Sequence, residues 1–190
     1  MRESNTGAKA KDYMIKLTRT AMLCAMGILI PIIMPPVPPF RLVIEPMSFT
    51  LAAHVAIFIA MFISPASAIA VTIGTTIGFF FVLPPVVGFR AASHIFFAVA
   101  GAYYLKYHPG LLDKKLNVLF FSFALAVIHA VAEVAVVIPF YFGGLLAEGF
   151  YNRGFFMGVI MLVGVGTIAH SMVDFAIARV VWKPLKMIRS

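Results

Sequence analysis

Charge is scarce in this sequence. Of its 190 residues only 12% are Asp, Glu, Lys or Arg, while 62% are hydrophobic and the mean hydropathy is +1.01. Soluble domains carry about twice that share of charge and nearer half apolar residues, so a soluble enzyme or signalling domain is excluded. Cysteine is nearly absent too. Cys24 stands alone, which rules out a disulfide framework and any Cys-x-x-Cys metal or redox motif. There is no Walker-A loop and no Gly-x-Ser-x-Gly elbow, and residues 129–133 read HAVAE rather than HExxH. The familiar devices for spending ATP, for acyl transfer and for zinc proteolysis are therefore missing. An alternating strand pattern, which a membrane barrel would need, is missing as well. So is a detectable inverted repeat, which weakens the case for a self-contained secondary transporter.

Long apolar runs remain, and they dominate. Runs of roughly 18 or more apolar residues cross a bilayer as helices, because a helix satisfies its own backbone hydrogen bonds in lipid. The sequence predicts an all-α integral membrane protein, residues 1–190 forming a single bundle of six transmembrane helices. The expected spans are residues 17–34, 48–63, 66–82, 86–107, 117–142 and 153–181. Proline punctuates them. Pro35, Pro36, Pro38 and Pro39 stop the first span and begin an ordered outer loop over 35–47 with Arg41 and Glu45; Ser64-Pro65 makes a tight inner turn; Pro84-Pro85 ends the third span.

The net charge of +8 does not indicate nucleic acid, because its distribution follows the membrane. Arg2, Lys9, Lys11, Lys16 and Arg19 precede or open the first span. Lys114 and Lys115 lie in the 108–116 loop with Lys106 just before it, and Arg179, Lys183, Lys186 and Arg189 lie at the C-terminal end. With both termini cytoplasmic, only Arg41, Arg90 and Arg153 fall towards the outside, which satisfies the positive-inside rule. The expected location is the plasma membrane, with lipid contact and no nucleic acid.

Ionisable residues inside spans are costly and usually face a cavity or a partner. Here they come in pairs spaced by four, each on one helix face: Arg90 and His94, His129 and Glu133, His170 and Asp174, with His54 alone on the second span. At 1.5 Å per residue, His54 and His94 lie roughly 9 Å below the outer helix ends, Glu133 roughly 13 Å and His129 roughly 20 Å. These residues and Arg90 are expected to converge on one outer-half pocket. His170 and Asp174, roughly 25 to 30 Å down the last span, are expected to lie apart near the inner face. Arg90 suits a carboxylate held by two parallel hydrogen bonds. The histidines suit a ring nitrogen, and Phe97, with Phe89, Phe96, Tyr141 and Tyr151, offers stacking surface. A small aromatic acid fits this inventory. A divalent metal on His54, His94, His129 and Glu133 is the competing reading, disfavoured because Arg90 repels cations. Other readings are an assembly or regulatory subunit without its own solute, and an intramembrane enzyme.

Small residues recur every four positions: Ala21 and Ala25; Ala52, Ala56 and Ala60; Ala66, Ala70, Gly74 and Gly78. Each set makes a flat stripe against which another helix can pack, inside the bundle or from a separate partner.

The segment AMLCAMGIL around Ala21 and Ala25 resembles the S components of energy-coupling factor (ECF) vitamin transporters. The stretch PMSFTLAAHVAIFIAMFISPASAIAVTIGTTIGFF, followed by GFRAASHIFFA, is similar to the niacin-specific type over residues 46–98. The resemblance implies a substrate-binding subunit with no ATPase of its own. It would capture a vitamin from outside, niacin first and pantothenate or folate as alternatives, and dock on a transmembrane T component joined to two cytoplasmic ATPases. It implies no cofactor. Arg90, His94, His54, Glu133, His129 and Phe97 would then bind substrate, and Ala21, Ala25, Ala70, Gly74 and Gly78 would dock the partner.

Overall fold

A computed structural model describes residues 2–33, 41–44, 47–50 and 52–187. The proline cluster at 35–39 and Glu45, expected in the outer loop, lie outside the described residues. The elements run α1 (Arg2–Ile33), β1 (Arg41–Ile44), β2 (Met47–Thr50), α2 (Val55–Ile63), α3 (Pro65–Val82), α4 (Pro85–Ser93), α5 (Ile95–Tyr107), α6 (Lys115–Phe142), α7 (Gly149–Asn152) and α8 (Gly166–Met187). A π-helical stretch, Phe156–Val165, leads directly into α8.

Among the described residues five helical segments are long and apolar enough to cross a membrane: Lys9–Ile33, Pro65–Val82, Pro85–Tyr107, Lys115–Phe142 and Phe156–Leu185. The second expected span is a correction. Residues 47–50 form a strand, and the helix begins only at Val55. Nine residues of helix advance roughly 14 Å, about half a hydrocarbon core. What α2 lacks in length it makes up in burial: Val55 to Met61 are all buried, with Ala56, Ile57, Phe58 and Ala60 at 0% exposure. A helix apolar on every side belongs at the centre of a bundle, and α2 sits there against α1, α3, α5 and α8.

Local chemistry explains the turns. The Ser64 Oγ accepts from the Ser67 backbone N–H at 3.1 Å and Pro65 takes the first helical position, the usual start for a helix after a tight turn. Pro85 likewise takes the first position of α4, there without a side-chain cap. Gly74 and Gly78 of α3 lie beneath α1, where an added Cβ would meet Cys24 and the Ile28 backbone. Small residues thus set the closest helix approach in this part of the molecule.

The outward faces are apolar. Phe81, Phe96, Phe120, Val131 and Val180 are all more than half exposed, as lipid contact requires. The inside is layered instead. On α6 one inward ladder, Phe121, Leu125, His129, Glu133 and Val137, is buried throughout. Its polar rungs lie between an apolar cluster around Phe58, Phe97 and Phe175 and a second around Val86, Val137, Val159 and Val163.

Candidate functional site

Four helices and the hairpin deliver side chains to that polar layer. The span expected over residues 86–107 breaks at His94, between α4 and α5, and α4 carries Arg90 on its buried face. His54 immediately precedes α2. His129 and Glu133 come from α6; Thr167, His170 and Asp174, at i, i+3 and i+7, come from α8.

Glu133 is the hub of one half. Its Oε2 accepts from Arg90 Nη2 at 2.8 Å and from the Thr167 hydroxyl at 2.6 Å, while Oε1 lies 3.2 Å from His94 Nε2 and 3.4 Å from His129 Nε2. Arg90 is buried, so it does not extend to the headgroups at the helix end. Asp174 is the hub of the other half. It accepts from the backbone N–H of Ala52 and of His54, both at 3.1 Å, lies 3.0 Å from His54 Nδ1, and is 3.3 Å from His170 Nε2. Asp174 thereby supplies from α8 the cap that the start of α2 lacks, since His54 makes no side-chain cap of its own. It also braces Ala52, whose φ of +62° lies in the left-handed region.

Between the two hubs the rings of His54, His94 and His129 stand nearly equidistant, with centroids 4.5, 4.6 and 4.7 Å apart, and His170 is 5.0 Å from His54. Above them is a cavity of about 30 Å³. Its walls include Phe49 and Thr50 of β2, Phe79 of α3, and Arg90, His54, His94, His129 and Glu133. The space suits a water or two, not a six-membered ring. Several polar atoms around it are buried without a hydrogen-bond partner: Arg90 Nε, His94 Nδ1 and both nitrogens of His129.

All five ionisable residues expected in the outer-half pocket meet here. Phe97 stands behind His129, ring centroids 4.6 Å apart, and does not line the cavity. The expected separation of His170 and Asp174 is overturned, because His170 lines the same cavity and Asp174 bonds His54. The expected separation takes residue 153 as a membrane surface. The helix from Phe156 through Met187 is longer than a bilayer core needs, and its wide π turns advance less per residue, so its start marks no depth. Phe89 and Phe96 point outward, and Tyr141 packs on Tyr151 away from the cavity. The ring surfaces are Phe49 and Phe79, which no motif marked. Thr167 could have been found from its place on the His170–Asp174 helix face.

Of the residues expected to dock a partner, Ala21, Ala25 and Ala70 are exposed, whereas Gly74 and Gly78 are covered by α1.

The chain is 40% identical over 174 residues to a niacin transporter, NiaX, of Lactococcus lactis subsp. cremoris (strain MG1363), a match covering 90% of this chain and 72% of that protein. The chain belongs to the NiaX family. That match extends well past residues 46–98, where the resemblance to niacin-type proteins was read, and takes in most of the helices that carry the site. NiaX-family membership and the five apolar spans together make this a multi-pass membrane transport protein with a small-molecule substrate. No family model matches the chain, and no solved structure matches it.

Proposed function

We propose that this protein is the substrate-binding S component of an ECF-type importer and that it captures nicotinate. The carrying observation is Arg90: a buried guanidinium at the wall of the histidine-lined cavity, with Nε unpartnered, in a chain related to a niacin transporter. Glu133 and Thr167 fix the guanidinium through one oxygen, and Nε remains to donate to a carboxylate. Phe49 and Phe79 offer faces to the pyridine ring, and the histidines offer a partner for its nitrogen. The 30 Å³ cavity must enlarge to take the ring. Entry requires a wall to move, and the short β1–β2 hairpin, which contributes Phe49 and Thr50, is the wall with the least helical support. The exposed Ala21, Ala25 and Ala70 supply a surface for the T component, which couples to two ATPases, with both termini cytoplasmic in the plasma membrane.

The test is calorimetry of nicotinate on purified protein, with nicotinamide, pantothenate and folate as competitors. Saturable nicotinate binding, weakened roughly 100-fold in Arg90→Lys, is expected: the lysine keeps the charge beside Glu133 and loses the planar donors, and a hydrogen bond to a charged group contributes about 1.5–3 kcal/mol. Tight binding of another vitamin instead would move the solute assignment and leave the subunit class. Absence of binding to every vitamin, in monodisperse protein, would remove the reading.

A further inference from the structure

We propose that His54, His94 and His129 form a binding site for a divalent transition-metal ion of the zinc type. One ring nitrogen from each lies within 4.8 Å of one from each of the others, and all three residues are buried. Tetrahedral zinc at 2.0–2.1 Å from each nitrogen sets its ligands roughly 3.4 Å apart, so the nitrogens must draw together by up to roughly 1.4 Å to close on an ion.

Second, both carboxylates already act as they do behind metal-bound histidines. A carboxylate only accepts, so the Asp174–His54 bond calls for a proton on His54 Nδ1, which in a neutral ring leaves Nε2 bare. The Glu133–His94 bond places that of His94 on Nε2 and leaves Nδ1 bare, and Nδ1 has no partner. Such carboxylate–histidine pairs fix ring orientation and raise ligand basicity. His129 Nδ1 has no hydrogen-bond partner, and its Nε2 lies 3.4 Å from Glu133 Oε1, beyond the range of a good hydrogen bond. Buried imidazoles without partners are costly, and imidazole is a preferred ligand for zinc, copper, nickel and iron.

Third, the charges around the cluster favour a cation. Arg90 does not repel one, because Glu133 pairs with it at 2.8 Å. One guanidinium faces two carboxylates, an excess of one negative charge among the fixed acidic and arginine groups of a low-dielectric layer. A divalent ion turns that excess positive, which an anionic solute entering the cavity would then neutralise. Three protein ligands leave a coordination position open towards the cavity, as in metal sites that bind a further ligand.

The inference goes beyond the solute reading and is tested without any vitamin. The full chain, purified, freed of any affinity tag and stripped with a chelator, is titrated with Zn²⁺ by calorimetry and with Co²⁺ by visible absorption. Expected are one ion per chain, the intense spectrum of four- or five-coordinate cobalt, and a rise in thermal unfolding temperature on zinc addition. His129→Gln and His94→Gln each weaken binding by more than the roughly 10–100-fold that loss of an outer partner costs, Asp174→Asn falls within that range, and His108→Gln, outside the cluster, changes nothing. If a variant does not fold, the wild-type stoichiometry and cobalt spectrum decide by themselves. No saturable uptake, a six-coordinate cobalt spectrum, or uptake unchanged in folded His129→Gln and His94→Gln would overturn the proposal.

Discussion

Asp174 holds His54 at two points across 120 residues of sequence: Oδ2 accepts from the His54 backbone N–H at 3.1 Å and lies 3.0 Å from its ring Nδ1. One carboxylate thus fixes both where α2 starts and how the His54 ring turns. Asp174→Ala strands one buried and one part-buried backbone N–H group, of His54 and Ala52, and an unsatisfied buried group costs about 1–3 kcal/mol. Thermal unfolding in detergent should show a loss of about 3 kcal/mol, with Asp174→Asn losing about half as much because one acceptor oxygen remains. A wild-type unfolding curve for Asp174→Ala would show that α2 does not depend on this cap.

The Arg90–Glu133 pair separates stability from binding. Removing either partner leaves the other as an uncompensated buried charge, at about 3–5 kcal/mol. The double variant Arg90→Met with Glu133→Leu removes both charges at similar volume and should recover most of that loss. It should nevertheless bind no nicotinate. A double variant as unstable as either single one would place the value of the pair elsewhere in its network, for instance at Thr167.

Gly78 and Ala25 test which small residues pack inside and which face a partner. A Cβ at Gly78 runs into the Ile28 backbone, so Gly78→Ala should destabilise by about 1–3 kcal/mol, the usual range for overpacking. Ala25 is exposed. Ala25→Leu should leave unfolding and nicotinate affinity unchanged while lowering uptake by cells that supply the energising subunits. Normal uptake would remove Ala25 from the docking surface.

Ala52 carries left-handed backbone just before α2. That conformation costs an L-residue roughly 1–2 kcal/mol and a glycine nothing, while glycine gives back about 0.4–1 kcal/mol through a freer unfolded chain. Ala52→Gly should therefore stabilise by about 0.5 kcal/mol, read as a small rise in unfolding temperature. A fall would mean that the Ala52 methyl group contributes packing that outweighs the backbone relief.

The sequence by itself determined the membrane class, because a run of apolar residues is a local property and a bilayer reads it directly. It likewise marked Ser64-Pro65 and Pro84-Pro85 as boundaries, since proline acts on its own backbone. It paired His129 with Glu133 and His170 with Asp174, since four residues of helix put two side chains on one face. Short range is what these readings share.

Depth and facing belong to the tertiary structure. Residues 47–50 are as apolar as a helix start, yet pairing with 41–44 makes them a strand and leaves α2 nine residues long. The last helix is longer than the bilayer requires, so its starting residue says nothing about where His170 and Asp174 fall. Only packing of α8 against α2 and α6 brings Asp174 to His54 and Thr167 to Glu133. Gly74 and Gly78 look like Ala21 and Ala25 in the sequence; the placement of α1 over α3 covers the first two and leaves the others bare. A four-residue spacing specifies a helix face, and the neighbouring helix decides what that face meets.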